Sequence, residues 1–338
     1  MNLKQRLKRI RRTVRKILWP IGAQLAPGIL WILERLGRDH LASAGTFIGS
    51  VWYLLSIPDQ RLGRDNLDYC FGNTLSEEQK EEICRESFKN IIKCMLDFFY
   101  FSFRPQKAWE HIRIEKQTKE RLDKIMHGHG AALILTAHLG NWELLLGYLQ
   151  RHYKDMEFIA HNQGEYDRFT VDCRMRYKVG TIQDDSTDSA TIVRKLETGK
   201  LIGFVFDRNL SHSKGIIASF FNKPVYSPYF PVNLARYSGA PVIGMFLVQE
   251  GRDYQLVVDE PIYVHSEKTS RETYQRYVQI FLDITEKYIR QYPSQWFWGN
   301  KRWHRPKGDL MPLDGSRDID SVGKYMLGVC ESWDYPEN

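Results

Sequence analysis

The 338 residues predict an α/β protein with a largely parallel central sheet flanked by helices. A membrane-associating helical segment precedes it. Three observations carry this. From about residue 131, short apolar runs of β-compatible residues alternate with stretches at helical spacing. Within that region, AALILTAHLGNWELLLGY (131–148) reads as strand, sharp turn and helix. Ahead of it, eight Lys or Arg and no acid occupy residues 1–16, interleaved with apolar positions.

Composition narrows the function classes. A mean hydropathy of −0.45 excludes a chain with many membrane spans. The net charge of +7, less the eight basic residues of 1–16, leaves −1 for the rest, so the basicity is local. Cys70, Cys84, Cys94, Cys173 and Cys330 show no paired spacing and no CxxC, which argues for reduced thiols and against zinc. No P-loop or GxGxxG occurs, so neither a metal nor a nucleotide cofactor is expected.

Taken in order, Leu3, Leu7, Ile10, Val14 and Leu18 form one face of a helix whose other face is basic. Such a helix suits anionic lipid. A nucleic-acid arm is the competing reading, because eight cations also neutralise phosphates. The two uncharged stretches that follow, Leu18–Leu33 and Leu41–Ile57, favour the membrane. Each is shorter than the roughly 20 residues of a span. They read as helices dipping into the bilayer or one marginal span, with buried core helices as the alternative. The basic flank keeps this segment on the cytoplasmic side.

Ser76 and Gln79 form a capping box for a helix through Ile83, Phe88, Ile92, Met95 and Phe99. Its aromatic end, MLDFFYFSF, is core or the wall of an acyl-chain groove. The central stretch then places His138 at a strand's end and Glu143 in a helix's first turn, where α/β folds put chemistry. The turn can bring imidazole and carboxylate together; Asn141 as cap and Glu143 at the positive helix end is the plainer reading. Downstream, Phe158–Ala160 is a strand and Phe169–Tyr177 a helix holding Arg174 and Arg176 and stopping at Gly180. A helix over Ala190–Leu196 stops at Gly199, and LIGFVF (201–206) is a buried strand ending in Asp207. Pro231–Tyr237 is a helix, APVIGMFLV and YQLVVDEPI are strands, and Thr269 with Glu272 caps a long amphipathic helix through Tyr288.

HLGNWE, preceded by an apolar strand, resembles the signature of the lysophospholipid-type acyltransferases that build bacterial lipid A. That family has His, four residues, then Asp or Glu. The resemblance runs from about Arg61 to Pro306. It takes in Arg176 to Gly180, Asp207, Phe220–Phe221, Ala240-Pro241-Val242 and YPSQWFWGNKRWHRP. Arg208, Asn222 and the AHNQG before residue 165 depart from the family pattern, and residues 308–338 have no counterpart in it.

The resemblance implies a glycerolipid acyltransferase-like fold and transfer of a fatty acyl group from acyl carrier protein to a hydroxyl of a lipid A precursor. Another glycolipid or a lysophospholipid is the alternative acceptor. The other class is a non-catalytic basic membrane- or nucleic-acid-binding protein. His138 is the candidate general base and Glu143 its partner. Candidate substrate-binding residues are Asn141, Trp142, Arg176, Asp207 and Arg302. Arg176 is the candidate for the developing oxyanion, with a structural role as the alternative. Asp207 would orient an arginine or a sugar hydroxyl, or cap the next helix. Trp296, Trp298 and Trp303 with Lys301, Arg302 and Arg305 combine interfacial aromatics with phosphate-seeking cations, or fold into a core cluster. No GxSxG is present, so direct attack on the thioester is expected rather than a covalent serine enzyme. The expected organisation is 1–57 membrane-associating, 58–307 acyltransferase and 308–338 extension. The expected location is the cytoplasmic face of the cell inner membrane, with no nucleic-acid partner.

Overall fold

The computed structural model describes Gly28, Arg35 and residues 37–303, except 154, 162–164, 185–186, 211–214 and 266–269. The basic helix of residues 1–16, the apolar stretch 18–33 apart from Gly28, Thr269, Arg305, Cys330 and the extension 308–338 lie outside the described residues.

Helices come first. α1 (Arg38–Leu55) packs its small residues Gly45 and Gly49 on α3 (Glu77–Ser102), with α2 (Ile57–Phe71) between them in sequence. The capping box opens α3 as expected: Gln79 N donates to the Ser76 hydroxyl and the Gln79 side chain accepts from Ser76 N. Phe98, Tyr100 and Phe101 at its end are buried core, and Phe99 is half-buried against Phe169. The other side of α1 is different. Phe47, Ile48, Leu54 and Leu55, with Ile57 beyond it, stand exposed. No single described helix is long and apolar enough to cross a membrane; α1 and the following helical stretch together meet that test but are bent by 91°.

The remaining elements are α4 (Pro105–Trp109), β1 (Ile112–Arg113), α5 (Lys116–His129), β2 (Ala132–Thr136), α6 (Trp142–His152), β3 (Met156–Ala160), α7 (Glu165–Arg176), β4 (Gly180–Gln183), α8 (Ser189–Glu197) and β5 (Leu201–Val205). After these come β6 (Ile216–Phe220), β7 (Lys223–Ser227), α9 (Phe230–Ser238), β8 (Val242–Glu250), β9 (Asp253–Val258) and α10 (Arg271–Gln291). Seven strands form one sheet in the order β1-β9-β8-β2-β5-β3-β4. The five from β8 to β4 run parallel, as the alternation predicts, and β9 turns back antiparallel on β8. Helices cover the faces, so β2 is buried at every residue and reads as a continuous apolar run.

Three expectations shift. Ser270, not Thr269, caps α10, accepting from Thr273 N at 3.2 Å. α7 ends before Lys178, which takes the left-handed conformation (φ 63), and Gly180 opens β4 instead of stopping the helix. The β6–β7 hairpin was not legible as strands. Its turn holds Phe221 and Asn222, both at positive φ, and Phe221 packs among Phe71, Trp298 and Trp303. Trp296, Trp298 and Trp303 are fully buried in this cluster. They are core, and the interfacial reading of these rings is corrected: edge-to-face packing holds them inside.

Candidate active site

β2 ends at Thr136, and the chain continues through Ala137 to His138 at the carboxyl end of the sheet. Leu139 and Gly140 then turn it into α6. Gly140 has φ +59, and a Cβ there would collide with the Leu247 carbonyl of β8, so only glycine fits. Asn141 caps α6 by accepting from Leu144 N at 3.1 Å, while its own N–H donates to Leu247 O at 2.8 Å. Strand, turn and helix are thus locked to the neighbouring strand.

β2 and β5 pair in parallel with Thr136 opposite Val205. Two residues beyond each, His138 and Asp207 fall side by side. The His138 Nδ1 lies 2.9 Å from Asp207 Oδ1, and the His138 backbone N–H donates to Asp207 Oδ2 at 2.9 Å. Trp296 Nε1 donates to the same Oδ2 at 2.7 Å. Asp207 is fully buried, whereas 34% of the His138 side chain is exposed. With Nδ1 held by the carboxylate, Nδ1 carries the proton and Nε2 is the free base. Among the described residues no hydroxyl or thiol is hydrogen-bonded to this imidazole.

Charge behaves accordingly. Burial raises the Asp207 carboxyl, but the histidine contact and the Trp296 and backbone donors outweigh it and hold the group at about 2. Burial and Arg208 disfavour protonated His138, and Asp207, with a lesser pull from Glu143, reverses this, so the imidazole titrates above its ordinary value.

Glu143 has a different partner. It is buried, and Arg174 donates to it from both Nε (2.7 Å) and Nη2 (2.5 Å). Trp142 Nε1 adds a third bond at 3.2 Å. The expected contact of Glu143 with the imidazole is therefore made by Asp207 instead. A buried carboxylate needs a counter-charge, and the equally buried Arg174 supplies a permanent one. Trp142 stands between the two sites, its ring edge-on to His138 with centroids 4.9 Å apart.

The other candidates separate. Asn141 gives its amide to the Cys94 carbonyl and the Tyr254 hydroxyl, which makes it a framework residue. Arg176 does not reach His138. It lies over the Phe103 ring and lines a cavity of about 390 Å³ with Trp109, Gln150, Arg151 and Lys178, beside the carboxyl end of α6, whose amino end follows His138. Arg302 is fully buried and clamps the hairpin to the end of β5, donating to the carbonyls of Arg208 (2.8 Å) and Tyr226 (2.9 Å) and to the Ser227 hydroxyl. Burial pulls its proton affinity down to about 10, against the pull of Asp207. Sequence reasoning missed Arg174 as the partner of Glu143; the available signal was an arginine two residues before Arg176, on another face of the same helix.

A largely parallel sheet with a histidine at one strand end, held by an aspartate from the next, is the arrangement in which α/β enzymes place their chemistry. The chain belongs to the bacterial lipid A biosynthesis acyltransferase family, whose family model matches residues 4–305, and it is an acyltransferase. It is 23% identical over 292 residues to the lipid A biosynthesis palmitoleoyltransferase of Escherichia coli (strain K12), covering 83% of this chain and 91% of that protein. The lipid A biosynthesis acyltransferase of Shigella flexneri matches with the same identity and coverage.

Proposed function

We propose that this chain transfers a fatty acyl group from the thioester of acyl carrier protein to a hydroxyl of a lipid A precursor, at the cytoplasmic face of the inner membrane. The Nε2 of His138 removes the hydroxyl proton, and the freed oxygen attacks the thioester carbonyl. The resulting oxyanion collapses, the C–S bond breaks, and the leaving thiolate takes the proton back from the imidazolium. Asp207 holds the tautomer and offsets the positive charge while the proton resides on His138. The single observation that carries this reading is the His138 Nδ1 bond to a fully buried carboxylate, with Nε2 left unbonded among the described residues. Glu143 supports the site through Arg174 and Trp142 rather than by touching the base.

Residues 1–57 serve as the membrane-associating segment, 58–307 as the acyltransferase unit and 308–338 as an extension. The exposed Phe47, Ile48, Leu54, Leu55 and Ile57 support the first assignment, since large apolar side chains left exposed suit a lipid surface. Mass spectrometry of lipid A from the host with the gene deleted tests the function. The deletion should leave lipid A lighter by one acyl chain, restored by the intact gene and not by His138→Ala. Identical spectra with and without the gene would overturn the acceptor assignment. Acylation of a lysophospholipid in preference to the lipid A precursor, measured with the purified protein, would move the reading to that acceptor.

A further inference from the structure

Behind the catalytic turn runs a buried polar chain that the chemistry does not use. It starts at Asn141, whose Oδ1 accepts from Leu144 N and whose Nδ2 donates to the Cys94 carbonyl (3.1 Å) and the Tyr254 hydroxyl (3.2 Å). Those partners fix the amide's orientation, because Leu144 N–H can only donate and Cys94 C=O can only accept. The Tyr254 hydroxyl, having accepted from Asn141, directs its one proton to Asp97 Oδ2 at 2.7 Å. Asp97, on α3, is buried, and Arg38, the first residue of α1, meets its charge from Nη2 at 3.0 Å and Nε at 3.3 Å. The same guanidinium lies over the rings of Phe101 and Tyr254, at 5.3 and 5.6 Å from their centroids.

An apolar set of similar volume would fill this space without burying an ion pair. What the polar chain adds is direction. A fully satisfied network admits one arrangement of its members, and Asn141, where it starts, sits three residues after His138. Arg38, at its far end, belongs to a helix seated without slack, since a Cβ at Gly49 would meet the backbone of Lys89 and Phe88 on α3.

We propose that Tyr254, Asp97 and Arg38 are positioning residues that fix Asn141 and the turn from His138 to Gly140, so that the docking of α1 on α3 sets the aim of the imidazole. This rests on the reading of His138 as the base. Arg38 and Asp97 act as a pair that holds the Tyr254 hydroxyl in register. Tyr254 passes that register to the cap of α6.

The test uses the full chain and two readouts. Tyr254→Phe removes one hydroxyl. It should lower kcat by about ten- to a hundredfold, the cost of slightly misplacing a reacting group, with KM for donor and acceptor held within about twofold. Arg38→Met combined with Asp97→Asn removes both charges together and should match that loss without adding to it when combined with Tyr254→Phe. Gly49→Ala, outside the chain, should lower kcat in the same way by lifting α1. The second readout needs no turnover: the imidazole resonances and titration of His138, followed by nuclear magnetic resonance, should shift in Tyr254→Phe. An unchanged kcat per folded enzyme, or an unchanged His138 titration in Tyr254→Phe, overturns the proposal. Retention of full turnover by His138→Ala would instead remove the base assignment, and the resonance readout would still report whether the chain positions the turn.

Discussion

Two buried carboxylates flank the same short turn, and their surroundings differ in one respect. Asp207 faces an imidazole that can gain and lose a proton, whereas Glu143 faces a guanidinium that cannot. The first arrangement pairs a buried carboxylate with a partly exposed side chain that can gain and lose a proton. The second is a fixed ion pair, sealed on both partners. Burial is common to both carboxylates, and the difference between them lies in whether the partner can titrate.

The largest effect expected from breaking this contrast is at Asp207. Asp207→Asn keeps the shape but removes the charge and can favour the wrong tautomer, so turnover should fall by roughly 10⁴-fold with little change in melting temperature, as at other histidines that lose an orienting carboxylate. The pH profile supplies the sign. In the native enzyme the rising limb of kcat/KM should lie above the ordinary histidine value of 6.5, since Asp207 favours the protonated form that is inactive as a base. In Asp207→Asn burial, the largest influence, and Arg208 favour neutral imidazole against only the lesser pull of Glu143, so the limb should move to lower pH. A limb that stays in place would detach the profile from His138.

The intermediate effect is at Glu143, and it should appear in stability. Glu143→Gln leaves the buried Arg174 without its counter-charge, which costs about 3–5 kcal/mol in comparable pairs. Adding Arg174→Met should recover most of the lost melting temperature. Kinetics on the folded fraction should change far less than in Asp207→Asn. A rate loss equal to that of Asp207→Asn, at unchanged stability, would return Glu143 to the catalytic pair.

The smallest effect sharpens the boundary between the two sites. Trp142→Phe keeps a ring against His138 but deletes the donor to Glu143, a hydrogen bond to a charged group worth about 1.5–3 kcal/mol. Turnover should change only a few-fold while thermal stability drops measurably. A shift of the pH limb in this variant would mean that the two carboxylates act as one unit.

Much of this was legible in local sequence. The run Leu133–Ala137 and the residues after Asn141 gave the strand and helix, with His138 at their junction, because side-chain periodicity and caps are set within a few residues. The capping box at Ser76 and the strand ending near Asp207 were readable for the same reason. The hairpin of β6 and β7 was not, because its turn uses Phe221 and Asn222 at positive φ without a glycine. Nor was the fate of the tryptophans, since an aromatic ring suits a lipid interface and a protein core equally until its neighbours are known.

By itself, then, the sequence determined that a histidine stands at a buried strand's end, with an acid in the following helix turn and another at the end of a later strand. Only the tertiary structure decided which acid the histidine meets. Asp207 is 69 residues away, and it becomes a neighbour because β5 inserts beside β2 with Thr136 opposite Val205. Strand order and register depend on crossover packing, which no local pattern encodes. Glu143, though only five residues from His138, is drawn to Arg174 because two buried charges of opposite sign are stable only together.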